Sequence, residues 1–595
     1  MSWWKLIALA LGVLAYNFGF RGDSTPQVTD IIHASYDYVI VGSGAAGSVV
    51  AARLSEDPSL RVLVLEAGDD DLRYPSIRVP GKARDMWMSS ATWDDYTVPQ
   101  KNACLGMKSN QCRWPHGRVL GGGTSVNFML YVRGSRHDYD GWSKSGCEGW
   151  SYEEVLPFFK KSESMQDSKL KNSEYHGYNG PIVVQDRPIS PIGDLFVRAA
   201  EELGYRSIDI NGAEQEGFSR VHYTINNGVR SSTAAAYLRP AMTRPNLDVA
   251  TLAPVKRVIF DGKRATGVEF MWRGENRQVS VNKEVILSAG ALDSPKILML
   301  SGVGPKQHLQ EHNIPLVADL PVGKNLQDHL QMDALVFTID RPVSITPKKA
   351  SALWPQALYS LNGEGLLGAS GVHATGVLRS KHQPKDDPVP YMQLIALSIP
   401  CNDDVSRRQI IDAHNYREEV IEMLYGKLNN QEALAIGGYL NHPLSRGELL
   451  LQSNKSSDRP LFDPHYLENQ IDVDVLKEVF RLAQQFGKTK TMRDIGAKQL
   501  PVPHPYCGQH EYESDAFWEC IVRHDTKTVF HHSGTCKMGA KDDEAAVVDP
   551  QLRVRGLEGI RVIDASIMPN VTAGNIMMAT IMIGEKGADL IRSAL

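Results

Sequence analysis

With 595 residues, of which 42% are hydrophobic and 22% charged, the chain is an ordinary globular protein with ample material for a core, long enough for up to about four domains. Its 64 basic and 69 acidic residues give a net charge of -5 and no basic stripe, which disfavours nucleic acid as a partner. No internal repeat or long low-complexity stretch interrupts it.

The chain opens with Met1-Ser2-Trp3-Trp4-Lys5 and an apolar run from Leu6 to Phe20. That run is too short for a comfortable membrane span and lacks the arginines of a mitochondrial transit peptide. Residues 1–22 therefore read as a signal peptide or, since no Ala-x-Ala cleavage site is visible, as an uncleaved anchor. Next comes a buried strand, Tyr36 to Val41, opening into Gly42-Ser43-Gly44-Ala45-Ala46-Gly47 and a helix from Ser48 to Ser55. In such a turn the first glycine permits the tight bend, the second admits a pyrophosphate to the backbone, and the third lets helix and strand approach. A second strand, Arg61 to Leu65, ends in Glu66, nineteen residues after Gly47, where a ribose hydroxyl is held. An acid there disfavours NADP and leaves both FAD and NAD open.

Three further motifs follow in order. Gly117-Arg118-Val119-Leu120-Gly121-Gly122-Gly123-Thr124-Ser125-Val126-Asn127 continues to Tyr131, Gly134 and Asp140. Gly290-Ala291-Leu292-Asp293-Ser294-Pro295-Lys296-Ile297-Leu298 runs on to Ser301-Gly302-Val303-Gly304. His531-His532-Ser533-Gly534-Thr535-Cys536 precedes Asp564-Ala565-Ser566 and Gly574-Asn575. Together with the glycine turn, these segments resemble the glucose-methanol-choline (GMC) oxidoreductases across residues 36 to 595. The resemblance implies FAD, an alcohol substrate, and hydride transfer to flavin N5.

It also implies an α/β fold, α+β overall: a Rossmann-type FAD-binding domain, discontinuous, with an inserted substrate domain built on an antiparallel sheet with helices. The order of the motifs assigns residues 36–150, 231–330 and 511–595 to the cofactor domain, 151–230 to a cap region and 331–510 to the substrate domain. Alternating apolar residues at Tyr391 to Ile399, Ile436 to Leu440 and Glu448 to Leu451 read as strands of a sheet roofing the flavin, and Asn402 to Asn430 reads as helical.

By the same resemblance, Gly42, Ser43, Gly44, Ala45, Ala46, Gly47, Glu66, Val119, Gly122, Asn127, Val255, Asp564 and Ala565 contact the cofactor, and Trp93-Asp94-Asp95-Tyr96 belongs to a loop covering it. Some relatives carry, just before the asparagine matching Asn127, a histidine bonded to the flavin. Val126 stands there and cannot form that bond, so the FAD is expected to be noncovalent.

His531 matches the family's general base, in the pattern His-x-x-Gly-Thr; histidine suits a proton acceptor near neutral pH. Its neighbour His532 is expected to be structural. Asn575, eleven residues before Lys586, matches the second active-site residue. An asparagine can donate to a developing alkoxide but cannot replace the base, so the proton falls to His531. Asn575 also reads as a cap for a helix whose face is Ile576, Thr580, Ile583, Gly587, Leu590 and Ile591. Many relatives have asparagine and proline where this chain has Met577 and Ala579, which motivates the alternative of a catalytically retired, FAD-binding secreted protein.

The loops Cys104 to Cys112 and Cys507 to Cys520 resemble disulfide loops of secreted animal relatives, leaving Cys147, Cys401 and Cys536 as buried thiols. No cysteine spacing suggests a metal. Asn454-Lys455-Ser456 is an expected glycan site, whereas Asn570-Val571-Thr572 is expected to be buried. The whole reads as a secreted or secretory-lumen enzyme acting on a small alcohol, with a quinone or oxygen as electron acceptor.

Overall fold

The computed structural model describes residues 26–398 and 403–594. The expected signal or anchor segment, residues 1–22, and Cys401 lie outside the described residues.

Ser35–Val41 is the strand expected from the apolar run, and its last four residues are wholly buried. It pairs in parallel with Val62–Leu65 on one side and with Glu275–Leu287 on the other. Leu247–Ala250 extends the sheet in parallel beyond Val62–Leu65. Ile560–Val562 pairs in parallel with the end of Glu275–Leu287. The start of that long strand forms an antiparallel meander with Arg264–Trp272 and Val255–Asp261, completing seven strands. Residues distant in sequence thus meet in one sheet, and the carboxyl ends Val41, Leu65, Leu287 and Val562 share one edge. That edge is where α/β sheets bind ligands.

The first helix, Gly47–Leu54, packs against the last, Met577–Arg592, with Gly584 in close approach to Ala46. The buried Glu585 carboxylate accepts Nε and Nη2 of Arg53 at 2.9 and 2.7 Å and the hydroxyl of Tyr237 at 2.8 Å. Fully paired, this buried charge ties the C-terminal helix to the glycine-turn helix.

The second seven-stranded sheet is antiparallel throughout, in the order Lys498–Gln499, Leu330–Thr338, Ala433–Leu440, Met392–Ser398, Val372–Leu378, Gly217–Arg220, with Lys527–Thr528 added to Leu330–Thr338. Helix Gln470–Gly487 covers it; Gly438 is required there, because a Cβ would lie 2.6 Å from Val479. Two of the three expected roof strands belong to this sheet. The third, Glu448–Leu450, instead pairs with Leu461–Asp463 in a separate two-stranded ribbon.

The expected helical stretch divides into Asp404–His414 and Glu418–Tyr425, because Asn415 adopts a left-handed φ of 64° that ends the first helix. The C-terminal helix starts at Met577 with Ile576 as its cap residue, so Asn575 does not cap it. Disulfides join Cys104 to Cys112 and Cys507 to Cys520, while Cys147 and Cys536 are buried thiols. Asn454 is exposed. Asn570, expected to be buried, is also exposed: only Val571 and Thr572 turn inward, and the Asn570 carbonyl accepts the indole N–H of Trp142 at 3.1 Å. Among the described residues no helix is long and apolar enough to cross a membrane.

Candidate functional site

One cavity of about 390 Å³ runs from the glycine turn, along the carboxyl edge of the first sheet, to the underside of the second. That size is typical of a cofactor or ligand site. Gly42, Gly44, Ala45, Ala46, Glu66, Gly122, Asn127, Val255, His531, Asp564, Ala565 and Asn575 all line it.

At the turn, Gly42 has φ +95° and a Cβ there would sit 2.5 Å from the Ser288 carbonyl oxygen. A Cβ on Gly47 would lie 2.0 Å from the Gly42 oxygen, so only glycine lets the helix approach. Gly44 differs: a Cβ would meet nothing within 4 Å, which leaves its backbone open to the cavity. Ser43 and Gly47 stand behind the wall. Ser43 donates its backbone N–H and its hydroxyl to Oε2 of Glu66 at 2.9 and 2.7 Å, while Gly68 N–H donates to Oε1 at 2.8 Å. Burial raises the Glu66 pKa against these bonds.

Val119, fully buried, also stands off the cavity; it bridges to Asp69 and supports the turn through Gly122. Gly122 itself packs against Gly44, where a Cβ would lie 2.8 Å from the Gly44 Cα. Asp564 reaches the cavity, yet both its oxygens are engaged. Oδ2 accepts Gly290 N–H at 2.9 Å and the Ser294 hydroxyl at 2.6 Å; Oδ1 accepts Ser566 N–H and its hydroxyl at 2.8 and 2.5 Å. Its contribution is to hold the Gly290 turn and Ala565 in place.

Several lining or supporting residues carry no local sequence signal. Arg230, wholly buried, donates to the carbonyl oxygens of Thr124 and Asn127 at 3.1 and 2.7 Å and to Oδ1 of Asn127 at 2.8 Å, and burial lowers its pKa to about 9. The Asn127 amide in turn donates to Sδ of Met577 at 3.0 Å. Arg459 bridges Asp95 and Asp293 at 2.7 and 2.6 Å, and His116 lies 3.5 Å from Asp293. Arg459 and His116 together hold the Asp293 carboxyl far below the usual carboxylate range despite its burial.

At the far end, Nε2 of His531 lies 3.4 Å from Nδ2 of Asn575. Its Nδ1 lies 2.9 Å from Nδ1 of His329, a buried residue the sequence did not single out. The His531 backbone N–H donates to Oδ1 of Asp328 at 2.8 Å, and Oδ2 of that carboxyl accepts the hydroxyls of Thr528, at 2.6 Å, and Tyr466. Burial raises Asp328 to about 7. Phe530 enters this segment with φ 65°, a left-handed conformation that costs a non-glycine residue roughly 1–2 kcal/mol. The Thr528 hydroxyl holds it, accepting the Phe530 N–H at 2.7 Å.

Burial, and the repulsion of His532, lower His531 to about 3, so its imidazole is neutral at ordinary pH and keeps a lone pair on one ring nitrogen. His532 also reaches the cavity wall but is packed elsewhere: its ring lies 4.0 Å from that of Trp114 and its Nε2 is 3.5 Å from Asp328. Oδ1 of Asn575 is buried without a protein partner. Above the pair, Val372, Ile395, Leu397 and Ala435 of the second sheet face the cavity beside Trp87, Phe128 and Phe530. A neutral base, an amide donor and an apolar ceiling can take a proton from a hydroxyl while excluding water.

Residues 36–331 and 443–584 match the two models of the GMC oxidoreductase family. The chain is 38% identical to a glucose dehydrogenase [FAD, quinone] of Drosophila pseudoobscura pseudoobscura, over 94% of this chain and 87% of that protein. It is likewise 38% identical to a mitochondrial choline dehydrogenase of Mus musculus, over 94% of this chain and 89% of the other. Among solved structures, a formate oxidase of Aspergillus oryzae superposes with a TM-score of 0.82 at 26% identity, covering 95% of this chain and 99% of that one. By motif, fold and length of match alike, the chain belongs to the GMC oxidoreductase family.

Proposed function

We propose that this protein oxidises the CH–OH group of a small alcohol, whether a sugar, a choline-like or another primary alcohol, with noncovalent FAD. A single cavity joining the glycine turn to the His531–Asn575 pair carries this reading. Its walls suit FAD: Gly44 leaves backbone open to a pyrophosphate, Glu66 retains lone pairs for a ribose, and Asn127, Ala565 and Asn575 lie towards the other end. Val126, 5% exposed at the wall, offers no nucleophile for a covalent link. Bound FAD supplies the hydride acceptor.

The chain's own residues do the rest. His531 accepts the hydroxyl proton at Nε2, and Nδ2 of Asn575 donates to the developing alkoxide, whose charge the apolar ceiling keeps from water. The resemblance to glucose and choline dehydrogenases supports an alcohol donor and a quinone-type acceptor or oxygen. The cofactor domain is proposed to comprise residues 36–150, 231–330 and 511–595, with 151–230 and 331–510 shaping the substrate side. The two disulfides favour a secreted or secretory-lumen location.

The retired-enzyme alternative gains nothing from Met577, which bonds Asn127, or from the buried Ala579, since neither separates His531 from Asn575. The test is anaerobic: the flavoprotein is mixed with sugars, choline and primary alcohols while its flavin absorbance is followed. Bleaching supports the reading and names the substrate class. A full flavin spectrum that no alcohol bleaches would favour the alternative.

A further inference from the structure

We propose that the proton taken by His531 leaves through the protein interior, by way of His329 and a hydrated polar lane behind it. The inference rests on His531 being the base. The two rings meet through Nδ1 atoms 2.9 Å apart, nearly perpendicular at 84°. The Nε2 side of His531 faces Asn575 and the cavity, so its Nδ1 side is the back door.

Beyond that door, three buried residues carry polar atoms that are unpaired among the described residues. His329 is 0% exposed; its Nε2 makes no close hydrogen bond among the described residues, and its ring reaches the Asn441 backbone. The pairing of Leu330 with Leu440 sets His329 opposite Asn441, also 0% exposed, whose Oδ1 and Nδ2 are both unpartnered. Next in the chain, His442 has an unpartnered Nδ1, and its ring lies 4.8 Å from that of Tyr391. The Tyr391 hydroxyl donates to Oδ2 of the half-buried Asp387 at 2.7 Å, which brings the row to the surface. Buried polar groups are almost always satisfied by protein or by ordered water. Four such atoms on His329, Asn441 and His442, unpaired among the described residues, call for ordered water beside them, which mere support of His531 would not require.

The proton count closes. The substrate O–H bond breaks and Nε2–H of His531 forms; Nδ1–H of His531 breaks and Nδ1–H of His329 forms. Nε2–H of His329 then passes to water in the lane. The C–H electron pair leaves as hydride to the cofactor already assigned, and each ring ends as the other neutral tautomer. No imidazolium has to persist among the buried rings of His329, His531 and His532, where a cation would be strongly disfavoured.

The test is a single anaerobic turnover of the wild-type holoenzyme, with a primary alcohol that bleaches the flavin, in weakly buffered solution with a pH-indicator dye, and with free aldehyde measured separately in samples cleared of protein by rapid ultrafiltration. One proton per flavin is expected in solution during bleaching, before the aldehyde leaves. Asn441→Leu, which dries the lane without touching His531, is expected to delay that proton about tenfold while flavin content holds. His329→Gln, which keeps a hydrogen-bonding group beside His531 but cannot relay, is expected to do the same. Proton release that coincides with aldehyde release in the wild type, or that both variants leave unchanged, would overturn the relay alone. Failure of every alcohol to bleach the flavin would overturn the relay together with the assignment of His531.

Discussion

Nδ2 of Asn575 lies 3.4 Å from Nε2 of His531, although 44 residues of chain separate them. The separation is closed by the first sheet: Ile560–Val562 returns the chain to the edge where Val41 ends, and the final helix begins at Met577, just beyond Asn575, with Met577 and Thr580 still on the cavity wall. Freed from capping, the Asn575 amide is available to the substrate oxygen. Asn575→Ala is expected to lower the flavin-reduction rate about a hundredfold with flavin content unchanged, as loss of one alkoxide donor does. A rate within threefold of wild type would remove Asn575 from the reaction.

The other end of the cavity makes a different demand. Glu66 takes three hydrogen bonds from Ser43 and Gly68, and so holds the turn as well as facing the cavity. Glu66→Ala is expected to give a protein purified with less than about a tenth of its flavin, since unpaired turn donors and a lost ribose contact each cost on the order of 1–3 kcal/mol. Full flavin occupancy in that variant would exclude Glu66 as a cofactor contact.

Noncovalent retention predicts that acid precipitation releases the colour. The supernatant should carry the flavin absorbance and the pellet none. A yellow pellet would mean a covalent link formed by some residue other than Val126.

Stability should fall in mild acid. Burial lowers His373 and His442 to about 4 and His531 to about 3, and lowers His329, His414 and His532 well below the ordinary imidazole value. A histidine depressed on folding contributes its stability above its unfolded pKa and loses it as pH falls through the folded one, here between about 6.5 and 3. Each could contribute up to roughly 3 kcal/mol. Asp138 and Asp328, raised by burial to about 7, act in the opposite sense, their contribution fading as pH rises from about 4 to 7. Burial also raises Glu66, Asp71, Asp85, Asp472 and Asp564 and lowers His308 and His524; eight depressed histidines, each charging in the unfolded chain at about pH 6.5, outweigh seven raised carboxyls, so Tm is expected to drop on going from pH 7 to 5. A Tm flat or rising over that interval would contradict these burial effects.

How much of this could be read from the residues depends on how local each cause is. The glycine turn was legible because its demands, a positive φ at Gly42 and contact at Gly47, arise within six residues of chain. Met392–Ser398 was legible as a short, nearly continuous apolar run, the pattern of a strand buried on both faces; Glu448–Leu450 was legible as a strand too, but pairing partners are not written in such a pattern, and it joined Leu461–Asp463. His329 was invisible because its contact with His531 spans 202 residues and depends on sheet register. Arg230 escaped for the same reason, its acceptors lying about a hundred residues earlier. Ser43 and Val119 show a subtler limit: motif membership located them near the cofactor, whereas only the three-dimensional packing reveals that they support the wall from behind.

Whether His531 is the proton acceptor in an FAD-dependent alcohol oxidation is decided by anaerobic flavin reduction in His531→Ala. The variant is expected to keep its flavin spectrum and disulfides but to be reduced by the responding alcohol at least about a thousandfold more slowly than wild type. Reduction within tenfold of the wild-type rate, with flavin fully bound, would contradict that role.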